Sequence, residues 1–528
     1  MDTLNDSKIQ IKAGDYCFTF LNSGDLYEAS YKITMINQLL TNPIDGSLNN
    51  LFLRLHSSEG IQVVPLVGVQ SNSKVKYSDR HVTWVGAVNE IQYKVTFTLS
   101  KQGIWFWDVT VDGNDIEIDI IYGQDMGIAD KSAVRINEAY LSQYIDHKVF
   151  EDDDIGYVVC SRQNQQQQGG FPYLQQGSLT KTVGYSTDGF QFFGLSYKET
   201  NQPEVLQKES LPNEVYQYEF AYTGLQSERV KLNGSKQFVF YGLFKQNHPK
   251  AVSFLEYEND IQNEWEKVKA QNNATHSILE ESKISSEIGS PLQTSPMSKE
   301  EVEQYFPNRI QEEWDGESVL SFFTDTYEHV VLKEKEQLVE RPHGHILMTG
   351  QNNKMTEDIL TTTSYMYGIF NSQLVVGNTS FNKMITNARN SLNIMKTSGQ
   401  RIYVEIEGEY RLLTMPSLFE MGFNYARWYY KTADDMLMIT NYTILDTAEL
   451  QLEFSSKSGK EYRFLVTNQI SMNNNEYEVP FRMERDGQIV SFYADSSADS
   501  GMVYPNLTYR LHVDGTDLSL EDERRFVS

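Results

Sequence analysis

Apolar and polar residues alternate along much of the chain with the period of β-structure. In IWFWDVTVDGNDIEIDIIYG (104–123), Ile116, Ile118 and Ile120 alternate with Glu117 and Asp119, the period of a strand with one buried face. An apolar run from Ile104 to Val111 precedes it, and Asp112-Gly113-Asn114-Asp115 between the two predicts a hairpin turn. Further short strands are predicted at 93–100, 218–224, 229–234 and 236–244. Strands spaced by Gly, Asn, Asp and Ser, with few helical patterns among them, point to an antiparallel sandwich.

The texture changes at Asn247. Residues 251–271 carry Val252, Leu255, Ile261 and Trp265 among charges at roughly helical spacing, and Ser298 precedes Glu301 by three positions, a capping-box start. Strands resume after Arg341-Pro342, at 363–378, 401–415, 426–444, 450–472 and 509–516. The fold class expected is predominantly all-β: two antiparallel β-sandwich, supersandwich-like domains at 1–246 and 341–528, joined by a helical, partly flexible connector at 247–340. The two sheet regions show no residue-level repeat.

A chain of 528 residues exceeds one hydrophobic core, in keeping with more than one domain. Its formal charge of −27 repels phosphate backbones and anionic lipid surfaces, which argues against nucleic-acid and membrane partners; a neutral polymer such as a glucan carries no such penalty. Cys17 and Cys160 form neither a metal-type pair nor a disulfide framework. The first residues lack a basic start followed by an apolar run, and no apolar stretch approaches ~18 residues, so the expectation is a soluble cytoplasmic protein.

Residues 122–179 interrupt the strands with amides, tyrosines and acids. YGQDMGIAD (122–130) follows a strand and carries two glycines, as a loop does. NEAYLSQYIDH (137–147) suits either a short helix or an extended segment. CSRQN (160–164) follows Tyr157-Val158-Val159, which puts Arg162, Gln163 and Asn164 at a strand's end. Amides, carboxylates and guanidinium forks complement sugar hydroxyls, which donate and accept at once, and Tyr rings offer flat faces for pyranose stacking. The plainer reading is a solvated loop, with Gln165 to Gln168 as a spacer and His147 as a surface residue or a satisfied hydrogen-bonder. Trp105, Trp107, Trp428, Tyr429 and Tyr430 suit sugar platforms, although at alternating strand positions core packing is their commoner fate. Asp152-Asp153-Asp154 reads most simply as a solvated turn. No nucleophile elbow, P-loop or dinucleotide fingerprint is present.

YGQDMGIAD, NEAYLSQYIDH and SRQNQQQ with a following FPY together resemble the amino-terminal β-sandwich region of 1,2-β-oligoglucan phosphorylases, of the glycoside hydrolase family 94 type, related to cellobiose phosphorylase and cyclic β-1,2-glucan synthase. The resemblance is strongest over about 60 residues and implies inverting phosphorolysis of β-glucan to α-glucose 1-phosphate. Inorganic phosphate is then the co-substrate, and no organic cofactor or metal is implied. One general acid protonates the leaving oxygen while phosphate replaces the activated water. In the family that acid is an Asp in an (α/α)6 barrel. After Arg341 this sequence reads as strands, so the expectation is a front portion without catalytic residues, supporting a barrel in cis or trans and supplying one wall of a β-glucan oligosaccharide site. The candidate carbohydrate-binding residues are Asp125, Asn137, Tyr140, Tyr144, Arg162, Gln163, Asn164, His343 and His345. The histidines come from Arg341-Pro-His-Gly-His345, which is weak as a zinc site for want of a third ligand and reads as a turn entering the second sandwich or as a channel wall. A free-standing carbohydrate-binding protein and a purely structural assembly module are the alternatives.

Overall fold

The computed structural model describes residues 8–136, 141–218, 220–271, 277–278, 283–350, 359–377, 383–385, 399–473, 481–514, 519–520 and 526. The chain divides into two compact units: residues 1–194, 203–285 and 522–528 in the first, and 195–202 with 286–521 in the second. The division falls inside the stretch expected to be a connector. The helix Glu258–Gln271 belongs to the first unit. Strands Arg309–Asp315, Ser318–Thr324 and His329–Leu332 open the sheet of the second well before residue 341.

In the first unit a thirteen-stranded sheet folds over on itself. The hairpin expected at 112–115 does not form; instead Ile104–Asp125 is one strand of 22 residues, paired with an equally continuous Val230–Lys245. Both strands turn a corner together. Gly113 faces Gly234, the register slips between Asn114 and Glu117, and Asp115 and Gly234 hold φ values of 57° and 88°, a left-handed backbone that Asp tolerates and Gly adopts freely. The result is that Trp107 and Tyr122, about 50 Å apart along a straight strand, have ring centroids 6.4 Å apart. Residues 105–112 pair with Gln92–Leu99; residues 117–125 pair with Asn50–Ser57 and Ala221–Ser227 in the opposite layer.

Continuous apolarity in IWFW follows from burial on both faces. Trp105 and Trp107 point into the core between the layers, while Ile104 and Phe106 point outward to a second cluster with Val252, Ile261 and Trp265, the Phe106 and Trp265 rings lying 5.1 Å apart. A five-stranded sheet from Ile9–Ala13 to Ala129–Asp130 covers the inner core, with Phe18 against Phe97 and Trp105.

The second unit is built on a seven-stranded antiparallel sheet running from Arg309–Asp315 to Leu450–Ser456. One face packs Phe419, Trp428 and Tyr430 against Met366, Tyr367, Phe370, Ile402 and Val404 from neighbouring strands and turns. The other packs Phe322, Val330 and Tyr429 against Val302 and Phe306 of and beyond the helix Lys299–Tyr305. That helix starts where the sequence places it: Ser298 Oγ accepts from the Glu301 amide and Glu301 Oε2 accepts from the Ser298 amide. All five aromatic residues considered as sugar platforms are core residues.

Candidate functional site

Arg162, Gln163 and Asn164 lie where expected, at the end of the strand Gly156–Gln163, but their polar groups turn inward. Arg162 Nε donates to the His248 carbonyl at 2.8 Å, its NH2 group to the Pro249 carbonyl at 3.4 Å and its NH1 group to Asn164 Oδ1 at 2.6 Å, with the guanidinium 4.3 Å above the Phe171 ring. Gln163, fully buried, donates to the Leu141 carbonyl and accepts from the Gln165 amide. The expectation that this guanidinium and amide face a groove is therefore corrected. Main-chain carbonyls at a loop have no sheet partner, and a fork with five donors satisfies several of them at once. Asn164 is exposed, with its carbonyl oxygen occupied by Arg162.

Around Arg162 the sequence SRQN, FPY and the distant NHP come together. The Phe171 amide donates to Asn247 Oδ1 at 3.0 Å, and the His248 ring stacks on Tyr173 at 4.7 Å. His248 Nδ1 lies 2.7 Å from the Lys250 carbonyl and Nε2 lies 2.6 Å from Glu256. His248 and Glu256 are the residues that reasoning from the sequence missed here; they sit 86 and 94 positions from Arg162, with no local pattern linking them.

Asp125 is likewise internal. Its Oδ2 accepts from the Gln38 and Leu39 amides at 2.8 and 2.7 Å, and burial pushes its carboxyl up to about 6 even though those donors pull the other way. It fastens a loop rather than facing a ligand, which corrects its assignment as a sugar contact. Tyr144 is half-buried in the turn before Ile145–Asp152; Asn137 and Tyr140 lie outside the described residues. His147, expected at the surface or as a satisfied hydrogen-bonder, is buried and only half satisfied: Nδ1 sits 2.9 Å from Ser161 Oγ while Nε2 has no hydrogen-bond partner among the described residues, and burial brings its imidazole down to about 4.

In the second unit, His343 and His345 serve different partners, so RPHGH forms no paired ligand set. His343 Nδ1 lies 2.6 Å from Glu336 Oε2, which also accepts from the His343 amide at 3.0 Å. His345 Nε2 meets the Gly422 carbonyl at 2.5 Å, and burial lowers the basicity of its ring. Behind His343 is a closed charged cluster. Glu336 and Lys198 have no exposure, and Lys198 Nζ donates to the carbonyls of Glu336 and Val339 at 2.7 and 2.9 Å while lying 3.5 Å from Glu336 Oε1. Beside it, Lys333 Nζ bonds Glu199 at 2.5 Å and the Thr294 carbonyl at 2.8 Å. His329, whose ring centre is 6.1 Å from that of His343, is held down to about 4, chiefly by burial and further by its neighbours His343 and Lys335. A carboxylate on Nδ1 fixes a histidine's tautomer and aim, so the arrangement presents His343 Nε2 from a rigid base. Lys198, Glu199 and Glu336 carried no signal in sequence; segment 195–202 joins this unit from across more than eighty residues of intervening chain.

Residues 19–242 match the family described as the SOGP N-terminal domain, and residues 306–528 match the glycoside phosphorylase supersandwich domain. A 1,2-beta-oligoglucan phosphorylase of Listeria innocua serovar 6a is 41% identical over 519 residues, covering 98% of this chain and 46% of that protein. The chain thus spans about half the length of this curated relative. Among solved structures, a GalM/aldose epimerase homologue from C. elegans covers 46% of this chain and 99% of its own, at 9% identity and a TM-score of 0.28. Galactose 1-epimerase from Lactobacillus acidophilus NCFM covers 46% and 95%, at 9% identity and a TM-score of 0.26. At those scores neither likeness bears on function.

Proposed function

The chain belongs to the SOGP-type glycoside phosphorylases, and we propose that it is the two-sandwich portion of a 1,2-β-oligoglucan phosphorylase of the glycoside hydrolase family 94 kind. The observation that supports this reading is the match to the Listeria protein, continuous over 98% of this chain yet only 46% of that protein. The reaction is inverting phosphorolysis: a phosphate oxygen bonds to the anomeric carbon, the β-glucosidic C–O bond breaks, and a general acid delivers a proton to the departing glucan oxygen. That acid belongs to a helical barrel outside the two sandwiches. This chain contributes support for the barrel and glucan-binding surface, for which Asn164 and Tyr144 are better placed in the first unit than Arg162, Gln163 or Asp125, and for which His343 is a separate candidate in the second.

Inorganic phosphate is the co-substrate, neutral oligoglucan the substrate, and the cytoplasm the compartment, in keeping with two cysteines that are unpaired. Calorimetry with sophorose-series oligosaccharides, on the chain alone and after co-expression with the portion of the Listeria protein outside the match, tests the reading. Phosphate consumption only when both pieces are present is expected. Tight sugar binding by the chain alone, with no turnover in the pair, would favour a free-standing carbohydrate-binding protein instead.

A further inference from the structure

The seven-stranded sheet of the second unit turns its chain at one end in three places. These lie between Ser318–Thr324 and His329–Leu332, between Leu418–Met421 and Tyr425–Lys431, and between Met436–Thr443 and Leu450–Ser456. His329 pairs with Met421 and Tyr425 with Tyr442, which sets the three turns side by side. Each carries an apolar side chain into solvent: Tyr327 is 71% exposed, Phe423 82% and Leu445 58%. Single exposed apolar residues are ordinary, but three in line at one end of a sheet form a surface that needs a reason.

Tyr327 is displayed at a cost. Its φ of 70° is left-handed, a region where a bulky side chain is an outlier and Gly or Asn is the usual occupant, and a ring so exposed gains little packing in return. Phe423 sits in a fastened turn. The Gly422 carbonyl meets His345 Nε2 at 2.5 Å, the Gly422 amide donates to the Tyr425 carbonyl at 2.9 Å, and Asn424 Nδ2 donates to the Thr443 carbonyl at 3.2 Å. His329 opens the strand that follows the Tyr327 turn, and its ring centre is 6.1 Å from that of His343, so the row runs up to that imidazole.

Charge selects the occupant. Residues 325–328, 422–424 and 444–449 include Asp325, Glu328, Asp446 and Glu449 and no Lys or Arg. A second copy would bring the same four carboxylates against these, and a polyanion would be repelled as well. A neutral hydroxylated chain meets no such field. Its hydroxyls donate to carboxylates, as those of Thr324 and Thr326 already do to Glu328, and the flat faces of its sugar rings stack on aromatic ones. Adjacent turns are two strands apart, about 10 Å, close to the length of a disaccharide. We propose that this end of the sheet binds β-glucan, with Tyr327 and Phe423 as stacking platforms. The inference rests on the reading of the chain as part of a glucan phosphorylase and adds to it a surface built wholly within the second unit.

Calorimetry of the full chain with soluble β-1,2-glucan tests it, beside the variant that combines Tyr327→Ala and Phe423→Ala. Both side chains are exposed, so the melting temperature should hold while the glucan binds about tenfold more weakly. Tyr327→Phe with Phe423→Tyr keeps both rings and should restore the affinity. Equal affinity of the Ala variant and the wild type overturns the proposal. So does a wild-type dimer in sedimentation that the Ala variant breaks, or binding of poly-lysine rather than glucan that is lost with the rings. Phosphate consumption by the co-expressed pair is read separately. Turnover with ring-independent glucan binding defeats this surface alone; ring-dependent binding without turnover defeats the phosphorylase reading and leaves the surface standing.

Discussion

Replacing Asp125 by Asn isolates the energetic cost of burying one carboxylate. Asp125 is 2% exposed, and both amides bonded to it, from Gln38 and Leu39, reach the same oxygen, an interaction that a neutral amide oxygen also makes. Burial raises its carboxyl from the ordinary 3.8 to about 6. A group whose folded value lies above its unfolded one adds stability that is complete below pH 3.8 and is lost as pH climbs through 6. Two units correspond to about 3 kcal/mol in all, of which about 2 kcal/mol falls between pH 4.5 and 7. Wild type should therefore gain on Asp125→Asn by about 2 kcal/mol as pH falls from 7 to 4.5. At pH 7 the variant should equal or exceed wild type, because it no longer buries a charge. Urea unfolding followed by hydrogen exchange of peptides from Ile104–Asp125 reports on the right unit at each pH. Parallel pH dependences for the two proteins would refute the argument, since the difference between them contains only this group.

The Arg54–Asp119 pair has no exposure and is bidentate, at 2.7 and 2.5 Å. Asp119→Ala strands the guanidinium and should cost about 3–5 kcal/mol in urea unfolding, and a loss below about 1 kcal/mol would mean that water reaches the site. Arg162→Lys should speed amide exchange around residues 247–250, because an ammonium cannot span the carbonyls that the fork holds, and should leave oligosaccharide affinity in calorimetry unchanged; a large fall in affinity would restore Arg162 to the sugar site. Replacing His343 and His345 together by Ala takes the ring partner from the buried Glu336 and the donor from the Gly422 carbonyl, so it should lower the melting temperature; well below the transition it should also weaken oligosaccharide binding by the assembled enzyme, and undiminished binding there would remove both histidines as sugar contacts.

Much of the fold was readable because it depends on local rules. Period-two alternation located strands, the Ser298–Glu301 capping box located a helix start, and the all-β class followed from both. The expected hairpin at 112–115 failed for an instructive reason. Asp-Gly-Asn-Asp has turn chemistry, but the same residues serve a bulged corner when a second long strand bends alongside. The candidate site fared worse. Arg162, Gln163 and Asp125 have the right groups for sugar, yet residue type does not say which way a side chain points or which carbonyls lack partners nearby. His343 was noticed in sequence, while Lys198 and Glu336 behind it were not, because their association spans about 140 positions.

By itself the sequence determined that the chain is built of strands, that it carries a net charge of −27, and that residues 122–179 resemble a glucan phosphorylase. Those properties are sums over residues or patterns of short range. Only the tertiary structure decided that Ile104–Asp125 doubles back on itself, so that Trp107 meets Tyr122, and that the amides and guanidinium near position 162 are spent on main-chain carbonyls. Whether a polar group is available for a ligand depends on what the rest of the fold has left unsatisfied, and that is settled by contacts between residues far apart in the chain.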